Sequence, residues 1–324
     1  MSQNTRPPFH LPFICLVILG AMPILSNSRP QGSDALGFSF VLSVWQTIFA
    51  LPLFYAQLRQ GKKGILDPSL PAAVKKRACY ISVITGIMFG LATWCYVLSL
   101  NQAGTANAAI AIQSYPLFAV ILEMVMLKQK KSVKEILAVS GLVAALYYLG
   151  TEGTWQLHGL SVWILVALCV PVLWSIAHVL IREELQTCPI TPAQVTFFRV
   201  LLSTLFLGGL LLIIEPGRMA DLFSPALAPY AMGMGLFYYL ELVIWFYAIR
   251  QISVSVASAI TTPWPGVTMV LSYFVLKEAI HSYQIRAFAA VIFFIYVLLV
   301  MESRKPLNYH KMDSCPATPP RLKN

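Results

Sequence analysis

The chain of 324 residues is predicted to be an all-α integral membrane protein, with ten transmembrane helices laid out as two inverted five-helix repeats. Three observations lead there. The composition is 58% hydrophobic and only 11% charged, with a mean hydropathy of +0.71, whereas a soluble domain carries about 25% charged residues. Apolar runs of roughly 20 residues, enough to cross a bilayer as a helix, recur from end to end. Finally, Trp245–Glu278 lies over Tyr96–Gln129 when shifted back by 149 positions. The identical pairs are Gln102/Gln251, Ala108/Ala257, Pro116/Pro265, Leu122/Leu271, Leu127/Leu276 and Lys128/Lys277. Both stretches run from an aromatic helix end through a short polar link, a small-residue run and a proline to a basic exit. Such internal symmetry marks a duplicated membrane fold. A β-barrel would alternate apolar and polar residues, and these segments are apolar all round.

The ten segments fall at about 10–27, 37–58, 79–100, 104–127, 133–150, 159–181, 193–214, 229–249, 254–276 and 282–301. The fifth is the shortest and is expected to begin among the preceding lysines, whose stems can snorkel. Residues 1–9 form a cytoplasmic N-terminus, 10–150 the first repeat, 159–301 the second, and 302–324 a disordered cytoplasmic tail rich in proline. The first apolar run lacks a small-residue cleavage site and reads as a retained helix.

Orientation follows from the basic residues. With the N-terminus in the cytoplasm, 18 of the 23 Lys and Arg lie inside, notably in Arg59–Arg77, Lys128–Lys134 and the tail. Only Arg29, Arg218, Lys277 and Arg286 lie outside, and Arg199 falls within a segment. The positive-inside rule therefore puts both termini in the cytoplasm. Five helices per half is an odd number, so the second half enters the membrane upside down relative to the first.

The net charge of +10 resides in short links between apolar segments, a topology signal that argues against nucleic-acid binding. Six scattered cysteines show no CxxC or Cys/His spacing, so neither a disulfide framework nor a metal site is indicated. HExxH, Walker A and GxGxxG motifs are absent, and no GxSx motif pairs with His178. An enzyme is thus disfavoured, no cofactor is expected, and a gradient remains as the energy source. An intramembrane enzyme and a non-transporting receptor or scaffold stand as the alternatives.

The two aligned stretches resemble the EamA-type branch of the drug/metabolite transporter superfamily. Tyr247-Ala248-Ile249-Arg250 followed by Val256-Ala257-Ser258 is the closest match, and Lys277-Glu278 resembles the exit signature of that family. Phe198-Arg199 resembles a seventh-helix segment where members often place an aromatic and an Arg. The likeness runs from Phe13 to Met301. It implies a ten-helix secondary transporter exporting a small metabolite, with possible proton coupling. Tyr115 and Trp264 stand where members often carry a Glu before the proline, and Glu123, His178 and Glu241 match no family position.

Glu241 is the sharpest candidate for chemistry. It falls ten or so residues from either end of the eighth segment, where an ionised side chain costs at least about 2.5–3.5 kcal/mol unless it faces a cavity or partner. Tyr238, Glu241 and Trp245 share one face at helical spacing. The carboxylate suits a substrate ammonium or a transported proton, and a structural hydrogen bond is the alternative. Arg199 suits a substrate carboxylate, or it bonds a helix end. His178, four residues after Trp174, titrates near neutral pH or is a satisfied bundle residue. Glu123 can snorkel or pair with Lys128. Tyr96 and Gln113 lie in the first of the two symmetric stretches and join the candidate lining. Pro116, Pro263 and Pro265 each remove a helical hydrogen bond and are candidate hinges, or static kinks.

The expected function is secondary transport of an amino acid, amine or related metabolite, bound between helices 3, 4, 8 and 9 with helices 1 and 6 nearby. The expected partners are a small-molecule substrate, the lipid bilayer and a proton, with no nucleic acid and with a homodimer left open. A bacterial inner membrane is the expected location.

Overall fold

The computed structural model describes residues 10–30, 33–126, 132–187, 190–218, 224–249 and 254–303. Among the described residues twelve α-helices make ten spans. In the first half these are α1 (His10–Asn27), α2 (Ala35–Arg59), α3 (Ala72–Ala103), the pair α4 (Thr105–Ile112) and α5 (Tyr115–Met126), and α6 (Val133–Gly150). The second half repeats the order with α7 (Val162–Thr187), α8 (Pro192–Ile214), α9 (Ala228–Ile249), the pair α10 (Val254–Thr261) and α11 (Trp264–Leu271), and α12 (Ser282–Ser303). Nine stretches of described residues are long and apolar enough to cross a membrane, each broken pair counting as one. The tenth span is α9, whose 22 residues reach about 33 Å.

Local chemistry sets the helix ends. Asp34 caps α2 by accepting from the Gly37 N–H at 2.7 Å. Ser132 with Glu135, and Thr191 with Gln194, form capping boxes at the starts of α6 and α8. The first of these corrects an expectation, because the fifth span begins after the lysines rather than among them. A capped start at Val133 satisfies the free N–H groups, which lysine side chains, lacking an acceptor, cannot do. The lysines at 128, 130 and 131 lie outside the described residues, as do residues 1–9 and 304–324.

The fourth and ninth spans also depart from single continuous helices. Each breaks two residues before its proline, at Gln113–Ser114 and at Thr262–Pro263. A proline disfavours helical geometry in the residue before it and withholds its own N–H. The breaks are equivalent under the 149-residue shift, with Tyr115-Pro116 opening α5 and Trp264-Pro265 opening α11.

Packing repeats with the same symmetry. α3 lies along α7 and α8, while its counterpart α9 lies along α1 and α2. The pairs α2–α8 and α6–α12 each map onto themselves when the halves are exchanged. Since the spans alternate in direction and each half holds five, the halves are inverted relative to one another.

Close approach at the α3–α8 and α2–α9 crossings depends on equivalent glycines. A Cβ at Gly86 would sit 2.5 Å from the Leu202 Cβ, and a Cβ at Gly235 would sit 2.9 Å from the Leu42 carbonyl oxygen. Gly86 and Gly235 are again 149 positions apart. Lipid tails are as apolar as leucine, so van der Waals contact over small residues holds such helices together. Ser203 adds an interhelical bond, its hydroxyl donating to the Gly86 carbonyl at 2.7 Å.

On the face that bears Lys62 and Lys63, the link after α2 is clamped to the start of α8. Gln194, wholly buried, donates Nε2 to the Lys63 carbonyl at 2.8 Å and accepts from the Ile65 N–H at 3.3 Å. This lysine-bearing face holds the start of α8 and, by alternation, the ends of α7 and α9.

Candidate functional site

A cluster of polar and aromatic side chains gathers between the halves. Arg199 is seven residues into α8, Glu241 eight residues before the end of α9, and His178 nine before the end of α7. At 1.5 Å per residue all three lie about 10–14 Å from the lysine-bearing ends of their helices. That is deep within the bilayer but off its centre. Glu241 is therefore 13 residues from one end of its helix and eight from the other.

The Arg199 guanidinium rests over the Phe89 ring on α3, 4.1 Å from its centre, a cation–π contact strengthened by removal from water. On the same ring, at 5.5 Å between centroids, lies the imidazole of His178. His178 Nδ1 and the hydroxyl of Tyr115, at the start of α5, are 3.2 Å apart. The Ser175 hydroxyl, one turn earlier on α7, donates to the Tyr115 carbonyl at 3.5 Å. Although it lies far from either end of α7, His178 is exposed.

Across from this group stand Tyr96 on α3 and Tyr238 on α9, packed edge to face at 6.0 Å. The Tyr238 hydroxyl is buried without a protein partner. Its charged neighbours are Glu241 and Arg199, which act electrostatically on it and on one another. No direct salt bridge joins Arg199 to Glu241 among the described residues. Both side chains are partly exposed, which leaves an anion and a cation in one cluster with hydrogen-bonding capacity unspent among the described residues. Cys15 on α1 fixes the level of α9 by donating its thiol to the Glu241 carbonyl at 3.7 Å.

Five of the residues singled out from sequence thus come together: Glu241, Tyr238, Tyr96, Arg199 and His178. Trp245 lies one turn along α9 and is partly buried, while Trp174 packs against the apolar core from α7. Gln113 sits at the break after α4, where its backbone N–H bonds the Ala109 carbonyl. Pro116 and Pro265 follow the two breaks, and Pro263 lies within the second. The Glu123 side chain lies outside the described residues. Spans 3, 4, 6, 7 and 8 supply the cluster, and span 1 reaches it through Cys15.

Phe89 and Tyr115 were not singled out as site residues. Phe89 had a signal in the repeat, since it is the equivalent of Tyr238. The repeat also shows where the site breaks symmetry: Glu241 corresponds to Ala92, and Arg199, matched through the caps Asp34 and Thr191, corresponds to Leu42.

A model of the EamA-like transporter family matches residues 10–151 and again 161–301. The chain belongs to the EamA-like transporter family. It is an integral membrane protein of the drug/metabolite transporter superfamily, and the two matches are its two repeats. One solved crystal structure of another protein aligns with 91% of this EamA-family chain and 97% of its own, at 15% identity and a TM-score of 0.56. That likeness is one of fold. No curated protein sequence matches the chain.

Proposed function

We propose that this EamA-family protein is a secondary active transporter that exports a small zwitterionic metabolite, such as an amino acid or a related amine, by alternating access. The observation that carries the reading is the pair Arg199 and Glu241. Two opposite charges, in no direct salt bridge among the described residues, lie in one cluster between inverted halves. A guanidinium suits a carboxylate and a carboxylate suits an ammonium. The rings of Phe89, Tyr96, Tyr238 and His178 offer apolar walls with polar edges for the remainder of the ligand. Site and charge asymmetry together favour loading from the lysine-bearing face, which the positive-inside rule makes cytoplasmic. This supports export across a bacterial inner membrane with both termini inside. Glu241 serves as substrate ligand and proton carrier in turn, its carboxylate releasing the ammonium when a proton takes its place. A single chain supplies both halves of the site, so a homodimer adds nothing to it.

Uptake into proteoliposomes, measured against a panel of amino acids and amines with and without a pH gradient, tests the reading. Saturable flux of one zwitterion, driven by the gradient in the parent and uncoupled from it in Glu241→Gln, is the expected result. Gradient-driven flux unchanged in that variant removes Glu241 from the mechanism, and absence of flux across the panel overturns the substrate class.

A further inference from the structure

The two halves share one layout but are packed differently at their broken spans. α4 and α10 are counterparts, entering the bundle from opposite faces. All eight residues of α4 are buried, and the helix packs on α1, α11 and α12 as well as on α3 and α7. Of the six α10 side chains described, only Ala257 and Thr261 are buried, and Val256 is exposed. Inverted repeats in identical conformations would make the two faces alike. Here the α4 face is sealed, while the α10 face, the one bearing the lysines, is the looser of the two.

Hydrogen bonds between span ends hold the sealed face. Asn27, closing α1, donates Nδ2 to the Leu100 carbonyl at 2.8 Å and to Thr105 Oγ1 at 2.7 Å. The Thr105 hydroxyl, on the first residue of α4, donates to Glu278 Oε1 at 2.7 Å. Ser272, just after α11, donates to the other carboxylate oxygen. One turn into α4, Asn107 Oδ1 accepts from Gln284 Nε2 of α12 at 2.9 Å. Of these, Thr105–Glu278 and Asn107–Gln284 tie the first half to the second, so the halves cannot separate on this face while they persist.

We propose that Glu278 is the latch of the gate opposite the lysine-bearing face, with Thr105 as its strike, and that the pair sets how readily that face opens. The proposal rests on the alternating-access reading above. An ionised carboxylate only accepts, so it can take the Thr105 and Ser272 hydroxyls together; a glutamine would meet one of them with a donor. A carboxylate at the rim is also well solvated once released, which makes the contact readily reversible.

Spin labels test this in the full chain reconstituted in nanodiscs, with other reactive cysteines replaced. One label pair, Gln102→Cys with His281→Cys, uses exposed sites spanning the sealed face; a second, Lys76→Cys with Val256→Cys, spans the lysine-bearing face. In Thr105→Val and in Glu278→Ala the long-distance population of the first pair should rise about ten-fold or more, the effect of losing one hydrogen bond to a charged group. The double variant should exceed neither single one, and Thr105→Ser should match the parent. Glu278→Met, which keeps the side-chain length without a carboxylate acceptor, gives the same measurement if Glu278→Ala does not fold. An unchanged first pair in the folded variants overturns the latch. A first pair that lengthens while the second stays fixed overturns alternating access and leaves the hydrogen bond as a local tie.

Discussion

The guanidinium of Arg199 lies 4.1 Å from the centre of the Phe89 ring, so a cation from the second half is seated on an aromatic from the first. The ring holds the charge in place without neutralising it, leaving the guanidinium N–H groups to a ligand. Phe89→Leu keeps most of the volume and removes the cation–π contact, worth about 0.5–2 kcal/mol. Transport KM should therefore rise roughly two- to thirty-fold, with the melting temperature in detergent little changed. Arg199→Lys should cost more, because an ammonium offers no planar fork to a carboxylate.

The glycine pair gives a prediction about packing. Gly86→Ala and Gly235→Ala each place a methyl group inside contact distance of the facing helix, against the Leu202 Cβ and the Leu42 carbonyl respectively. Overpacking of this kind costs typically 1–3 kcal/mol, so both variants should melt several degrees lower. Gly209 on α8 is the control: nothing lies within 4 Å of its would-be Cβ. Gly209→Ala should be neutral or stabilising by up to about 1 kcal/mol. Thermal unfolding in detergent followed by size-exclusion chromatography reads all three.

Gly86 and Gly235 also mark how far the fold could be read from sequence. Ten spans and the duplication were legible, because bilayer thickness imposes span length and a repeat imposes its own register. The alignment from Tyr96 to Gln129 stopped short of the glycines, since in a uniformly apolar helix only contact with a neighbour distinguishes a packing glycine from a lipid-facing one. Within the site, Glu241 and Arg199 stood out because charge inside a membrane demands an explanation. Phe89 and Tyr115 did not, as one aromatic among many carries no mark until its partner is known. The two broken spans were legible as prolines but not as breaks, for a proline in a helix either kinks it or ends it depending on what neighbouring spans supply.

The clamp between Gln194 and the link after α2 makes a third prediction. Gly64 adopts φ +53 there, and a Cβ would collide with the Gln194 side chain amide. Gly64→Ala should strain the backbone and expel Gln194, leaving the Lys63 carbonyl to the Leu66 N–H alone, a combined loss of about 1–3 kcal/mol. Gln194→Ala should lose the same bonds without the strain and so fall less far. The comparison of the two melting temperatures checks the order. Because the clamp lies apart from the cluster, KM in the surviving protein should be unaffected.

The break at Pro116 decides between a hinge and a static kink. Around it, Ser114 N–H bonds the Ala111 carbonyl at 3.1 Å and Leu117 N–H bonds the Ser114 carbonyl at 2.9 Å, so the chain turns through two residues before α5 begins. Pro116→Ala restores an N–H whose helical acceptor, the Ile112 carbonyl, lies at the end of α4. The variant can then run α4 into α5 as one helix, which locks the sealed α4 to the span carrying Tyr115. If the break is a pivot, turnover should fall several-fold with KM held and the melting temperature raised. At the equivalent break Pro263 and Pro265 must both be replaced, and the double variant Pro263→Ala/Pro265→Ala should do the same by joining α10 to α11. Turnover at the parent rate in both variants makes the breaks fixed features of the bundle and moves the pivot elsewhere.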